Sequence, residues 1–105
     1  MSKVAVFAKL TAAEGRGDEL RDALAEVAMP NASNEASTEV YAMHQDSSDS
    51  DVIWFYELYS DGDALAAHAR SDGMKAMIGA IGHLMAGPAE VNVVNPVAAK
   101  GLDLG

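Results

Sequence analysis

The chain has 105 residues, enough for one domain around a single core. Half of the residues are hydrophobic, the formal net charge is -9 and there is no cysteine. This excludes disulfides, thiolate nucleophiles and cysteine-based metal sites, and it argues against nucleic acid and anionic membranes, which need clustered Lys and Arg. No apolar run reaches the length of a membrane span, and the first ten residues lack a signal peptide's cleavage site, so the expected location is cytoplasmic.

Val4 to Leu10 is β-branched and apolar apart from Lys9, the pattern of a strand buried on most of both faces. A turn at Glu14-Gly15-Arg16-Gly17-Asp18 follows. The lone Gly-x-Gly in it reads as structural, because nothing around it makes a dinucleotide fingerprint. Leu20, Ala23, Leu24, Val27 and Ala28 recur at helical spacing and predict an amphipathic helix that Pro30 ends to within a turn. Asn31 to Ser37 reads as loop or frayed turn.

Thr38 to Gln45 and Val52 to Tyr59 predict two strands joined by a hairpin turn at Asp46-Ser47-Ser48-Asp49-Ser50-Asp51. That acidic run lacks the central Gly and terminal Glu of a calcium-binding loop, and a solvated turn explains it better. Ser60-x-x-Asp63 has capping-box spacing and starts a second helix running to Arg70. Ser71-Asp72-Gly73 reads as a break with a fresh cap, before a helical piece carrying Met74, Met77, Ile78, Ile81 and Met85. Gly87-Pro88 stops it. Val91, Val93 and Val94 form a last strand ending near Pro96. The domain is expected to span 1–97, with a tail from Ala98 to Gly105 that is mobile or laid on a partner.

The order β-α-β-β-α-β is that of a ferredoxin-like α+β fold: a four-stranded antiparallel sheet with the helices on one face. The other face should then be polar if water covers it, yet Val52, Trp54, Tyr56 and Leu58 alternate with Ile53, Phe55, Glu57 and Tyr59. Both faces of this strand are largely apolar. Something must cover the second, and a homodimer is the economical answer.

Phe55-Tyr56-Glu57-Leu58-Tyr59, then Ala64-Leu65, His68 and Ser71, resembles the pattern of the antibiotic biosynthesis monooxygenase family. The Gly15 turn, the first helix and Glu35 leading into Tyr41 fit as well, so the likeness covers Val4 to Val97. One departure is Glu35-Ala36-Ser37, where the family often has Glu-Pro-Gly. The resemblance implies a dimeric α/β barrel with a pocket between sheet and helices in each subunit. It further implies oxidation of a small phenol or quinol by O₂ without flavin, heme or metal. A heme-degrading branch of the fold relies on an Asn, a Trp and a His whose positions here hold Ala8, His68 and Ile78, which argues against heme.

His68 is the first candidate for catalysis, as a base near neutral pH; a buried structural histidine is the competing explanation. Glu57, a carboxylate in an apolar strand, is the second. It acts as base or anchor, or else forms a structural ion pair with Lys9 or across the dimer. Trp54, Tyr56 and Tyr59 are candidates for stacking on an aromatic substrate, Arg70 for pairing with an anionic one, and Met77 for a flexible pocket wall. Alternation alone does not say which face of 52–59 lines a pocket. His44 and His83 share no metal-ligand spacing with His68, and no cofactor or metal is expected. Two other readings stay open: a non-catalytic ligand-binding or stress-response barrel, and an isomerase on the same scaffold.

Overall fold

Strand β1 (Val4–Thr11) opens the chain in the computed structural model, which describes residues 2–105. It lies at the centre of a four-stranded sheet, paired antiparallel with β3 (Val52–Tyr59) on one side and β4 (Glu90–Val94) on the other. Strand β2 (Thr38–Gln45) pairs antiparallel with β3 and forms the far edge, giving the order β2-β3-β1-β4. This is the ferredoxin-like arrangement the element order predicts.

Helix α1 (Gly17–Ser33) lays Leu20, Leu24 and Ala28 on the sheet face formed by Val6, Ala8, Leu10, Ile53, Phe55 and Tyr59. Burying the larger of these side chains contributes roughly 1.5–3 kcal/mol each. The helix ends within a turn of Pro30, as expected. Pro30 lies inside it, and the chain stays helical through Asn31, Ala32 and Ser33. Proline lacks the N–H for one helical bond and tolerates a helix that ends within the next turn. Ser33 Oγ donates to the Met29 carbonyl at 2.9 Å, satisfying an acceptor near the interruption.

The start of α1 is capped from elsewhere. Arg16, at the cap position, makes no side-chain cap bond. Instead the Asp51 carboxylate, next to β3, accepts from the Gly15 and Gly17 amides at 3.0 and 2.9 Å. Gly15 has φ +78°, and a Cβ on Gly17 would fall 1.8 Å from the Ser50 carbonyl oxygen, so this turn needs both glycines. The other hairpin acids are likewise committed to backbone: Asp46 accepts from Ser48 and Asp49, and Asp49 accepts from Asp51.

After β3 come two short helices, α2 (Gly62–Ala69) and α3 (Asp72–Ile81), then a 3₁₀ turn at Gly82–Leu84. The cap of α2 is Asp61, whose side chain accepts from Ala64 N. Ser60, the expected cap, instead bonds Glu39 and the Ser37 carbonyl. Ser71 caps α3 as expected, accepting from Met74 N at 3.1 Å. Asn31 Nδ2 donates to the Gly73 carbonyl at 3.3 Å and ties α1 to this second cap.

The face turned away from the helices carries Ala5, Phe7, Trp54, Tyr56 and Leu58. Phe7 and Tyr56 rings lie 5.3 Å apart, and Lys9 sits 5.5 Å over the Trp54 ring. Phe7 and Trp54 keep 47% and 38% of their surface exposed. The tail folds back on its own chain, where Lys3 Nζ donates to the Asp103 carbonyl at 2.8 Å.

Candidate functional site

Between the sheet and α2–α3 lies a cavity of about 590 Å³. Its floor is Val6, Ala8 and Leu10 of β1 with Phe55 of β3, and its roof is Leu65 of α2 with Met74, Met77, Ile78 and Ile81 of α3. The ionisable side chains on its wall are Tyr41, Glu57 and His68. A hydrocarbon hollow with a few polar groups is the usual form of a small-molecule site.

His68 lies on the wall of this cavity and pairs with a carboxylate. It lies on the last turn of α2, buried at 8% exposure, with its ring 5.7 Å from that of Tyr41 and 5.3 Å from that of Tyr59. Its Nδ1 is 2.6 Å from Glu35 Oε1, while its Nε2 is buried and has no hydrogen-bonding partner among the described residues. Glu35 is itself held. Thr38 Oγ1 donates to the same carboxylate oxygen at 3.1 Å, and Thr38 N donates to the Glu35 carbonyl at 3.0 Å. A carboxylate on Nδ1 fixes the tautomer that leaves the Nε2 lone pair free to accept a proton. Glu35 sits in the loop before β2, where periodicity is silent, and its position leading into Tyr41 is the one sequence signal that points to it.

Glu57 also faces the cavity, opposite Val6 in the sheet register. Burial is the main cause that pushes its carboxyl above the usual glutamate range, against the pull of the Tyr59 hydroxyl, which donates to its Oε1, and of His68. The expected pairing with Lys9 does not form, because Lys9 points to the other side of the sheet, toward Trp54 and, at 4.0 Å, Glu90. Tyr59 is buried in the core and acts on the site through Glu57. Burial, then the charges of Glu57 and Glu35, push the Tyr41 phenol well up, so it stays protonated.

Of the expected substrate-binding residues, Met77 lines the cavity. Trp54 and Tyr56 do not. The odd-numbered residues of β3 face the helices, so these two fall on the open face, where Trp54 Nε1 donates to Asp46 at 2.9 Å. Arg70 is exposed at the C-cap of α2 and does not line the cavity either. His44 lies across from Trp54 on the open face. Among the described residues no three His, Asp or Glu side chains gather closely enough to hold a metal ion.

Residues 3–80 match the sequence model of the antibiotic biosynthesis monooxygenase family. A Caulobacter crescentus structure described as a candidate antibiotic biosynthesis monooxygenase is 27% identical, covers 92% of each chain and superposes with a TM-score of 0.83. A Nitrosomonas europaea protein of unknown function is also 27% identical, over 100% of this chain and 98% of its own, with a TM-score of 0.85. A third structure, from Chloroflexus aurantiacus and described like the first, is 25% identical over 99% and 100% of the two chains, with a TM-score of 0.78. No protein of curated function matches the chain. With the family model matching the greater part of the sequence and the fold in agreement, the chain belongs to the antibiotic biosynthesis monooxygenase family.

Proposed function

We propose that this cavity oxidises a small phenol or quinol with O₂ and needs no cofactor. The observation that carries the reading is the buried His68, with Nδ1 committed to Glu35 and Nε2 unpartnered, on the wall of a hydrocarbon cavity. His68 Nε2 takes the phenolic proton, and the Glu35 carboxylate stabilises the imidazolium that results. The phenolate passes an electron to O₂, and the radical pair joins through a new C–O bond. The peroxide then breaks its O–O bond and releases water. Quinol plus O₂ becomes hydroxyquinone plus water, and all four electrons come from the quinol. The apolar wall suits a nonpolar gas and an aromatic ring, and it limits water that would protonate intermediates. Met77 would pack on the ring, with Glu57 as the second polar group within the cavity.

The family membership and the descriptions of the Caulobacter and Chloroflexus structures support the oxygenase reading. The exposed Phe7 and Trp54 support a homodimer joined through the open sheet face. The test is O₂ uptake with a panel of hydroquinones and naphthols, comparing wild type with H68A. The expected result is one O₂ consumed per quinol and a loss of at least about a hundredfold in H68A, the usual size of a general-base contribution. Uptake untouched by the substitution would remove His68 from the chemistry. Tight binding of phenols with no uptake would make the protein a ligand carrier.

A further inference from the structure

The cavity wall carries one carboxylic acid and no fixed cation. Glu57 lies on it, Glu35 stands behind His68, and no Lys or Arg lines it. The cations are engaged or placed elsewhere. Lys9 is on the opposite sheet face, Lys3 is tied to Glu39, and Arg16 and Arg21 pair with acids of α1. Arg70, Lys75 and Lys100 lie exposed outside the cavity. Even a protonated His68 would already have its negative partner in Glu35.

We infer that Glu57 is a specificity-determining residue, which restricts the cavity to uncharged aromatic ligands and turns away those bearing a carboxylate. This rests on the reading of the cavity as the substrate site, but it does not depend on the oxygen chemistry. An anion entering here loses its hydration and gains no cation, which is the costly case for a buried charge. Nor can Glu57 easily turn aside, since the buried Tyr59 hydroxyl holds its Oε1. Tyr59 from β3, Glu35 from the loop, His68 from α2 and Tyr41 from β2 are the titratable groups that act on Glu57 or are acted on by it. A second negative charge would therefore enter only with a proton for Glu57, and anion affinity falls as pH rises.

The experiment titrates the full chain at an alkaline pH near 8 with two ligands of matched size, 6-hydroxy-2-naphthamide and 6-hydroxy-2-naphthoate, in wild type, E57Q and I78K. Ile78 is 58% exposed at the cavity rim, so a lysine there adds the missing cation without touching the core. The wild type should favour the amide by at least about tenfold, and each variant should shrink that ratio to within about threefold. A wild-type ratio near one, or a ratio that neither variant moves, overturns the inference; I78K carries the test if E57Q fails to fold. Binding of neither ligand overturns both this inference and the proposed function. Amide-selective binding without O₂ uptake leaves this inference standing and removes the oxygenase reading, whereas uptake with a ratio near one does the reverse.

Discussion

Replacing Glu35 by Gln isolates the electrostatic part of the proposed proton transfer. The side chain keeps its size, and its amide oxygen still accepts from His68 Nδ1, now 2.6 Å from the carboxylate, but the charge is gone. When Nε2 takes the substrate proton, the new imidazolium faces a neutral partner. For unit charges about 4 Å apart at an effective dielectric of about 20, the lost attraction is about 4 kcal/mol. The Glu35 side chain is 26% exposed, so solvent screens part of this, leaving roughly 1.5–3 kcal/mol. That corresponds to a fall of about 10- to 150-fold in kcat/KM. E35A, which also removes the acceptor and frees the ring, should fall further. The assay is initial-rate O₂ consumption with a quinol, beside equilibrium binding of a phenol ether that has no proton to lose. Binding of the ether should hardly change. An E35Q rate within about twofold of wild type, with H68A inactive, would refute the dyad and leave Glu35 a structural partner.

Other perturbations test other links. G17A should lose about 2–4 kcal/mol in urea unfolding, because its Cβ would lie 1.8 Å from the Ser50 carbonyl and displace the turn that Asp51 holds. G79A, in open space within α3, should gain up to about 1 kcal/mol from helix propensity, and equal effects of the two would sink the steric argument. Glu57 titrates higher in the folded chain than its ordinary value near 4.5, so the folded state holds its proton more tightly. Stability tied to that proton is full below about pH 4.5 and is lost as pH rises through the folded value. Thermal midpoints of E57Q relative to wild type should therefore improve from pH 4 to pH 8, and a flat difference would count against burial as the dominant cause. F7D should weaken the proposed dimer by about a hundredfold or more in sedimentation equilibrium, since it sets an unpaired charge on the open face. A wild-type chain sedimenting as monomer at micromolar concentration would dispose of the interface altogether.

The architecture was legible because its signals are local. Strand runs, the Leu20–Ala28 stripe, the helix end near Pro30 and the Ser71 cap each follow from short-range patterning, and a cap at Asp61 in place of Ser60 moves a boundary by one residue. The site was only half legible. Alternation in Val52–Tyr59 separates two sets of side chains without saying which one the helices cover, so Trp54 and Tyr56 were grouped with Glu57 although they point the opposite way. The pairing of Glu35 with His68, 33 positions apart, depends on where a loop meets a helix end, which no local pattern encodes. Arg70 shows the same limit: one residue of helical rotation beyond Ala69 carries a side chain from the cavity lining to its outside.

Strand β3 is a partition with a tenant on either side. Phe55 and Glu57 help to furnish the chamber, while Trp54 and Tyr56, their immediate neighbours in sequence, decorate the outer wall. Because successive residues answer to different surroundings, mutation would retune the proposed ligand choice on one register and the proposed self-association on the other. If both proposals hold, a lineage built on this sheet could exchange substrates while keeping its quaternary contacts.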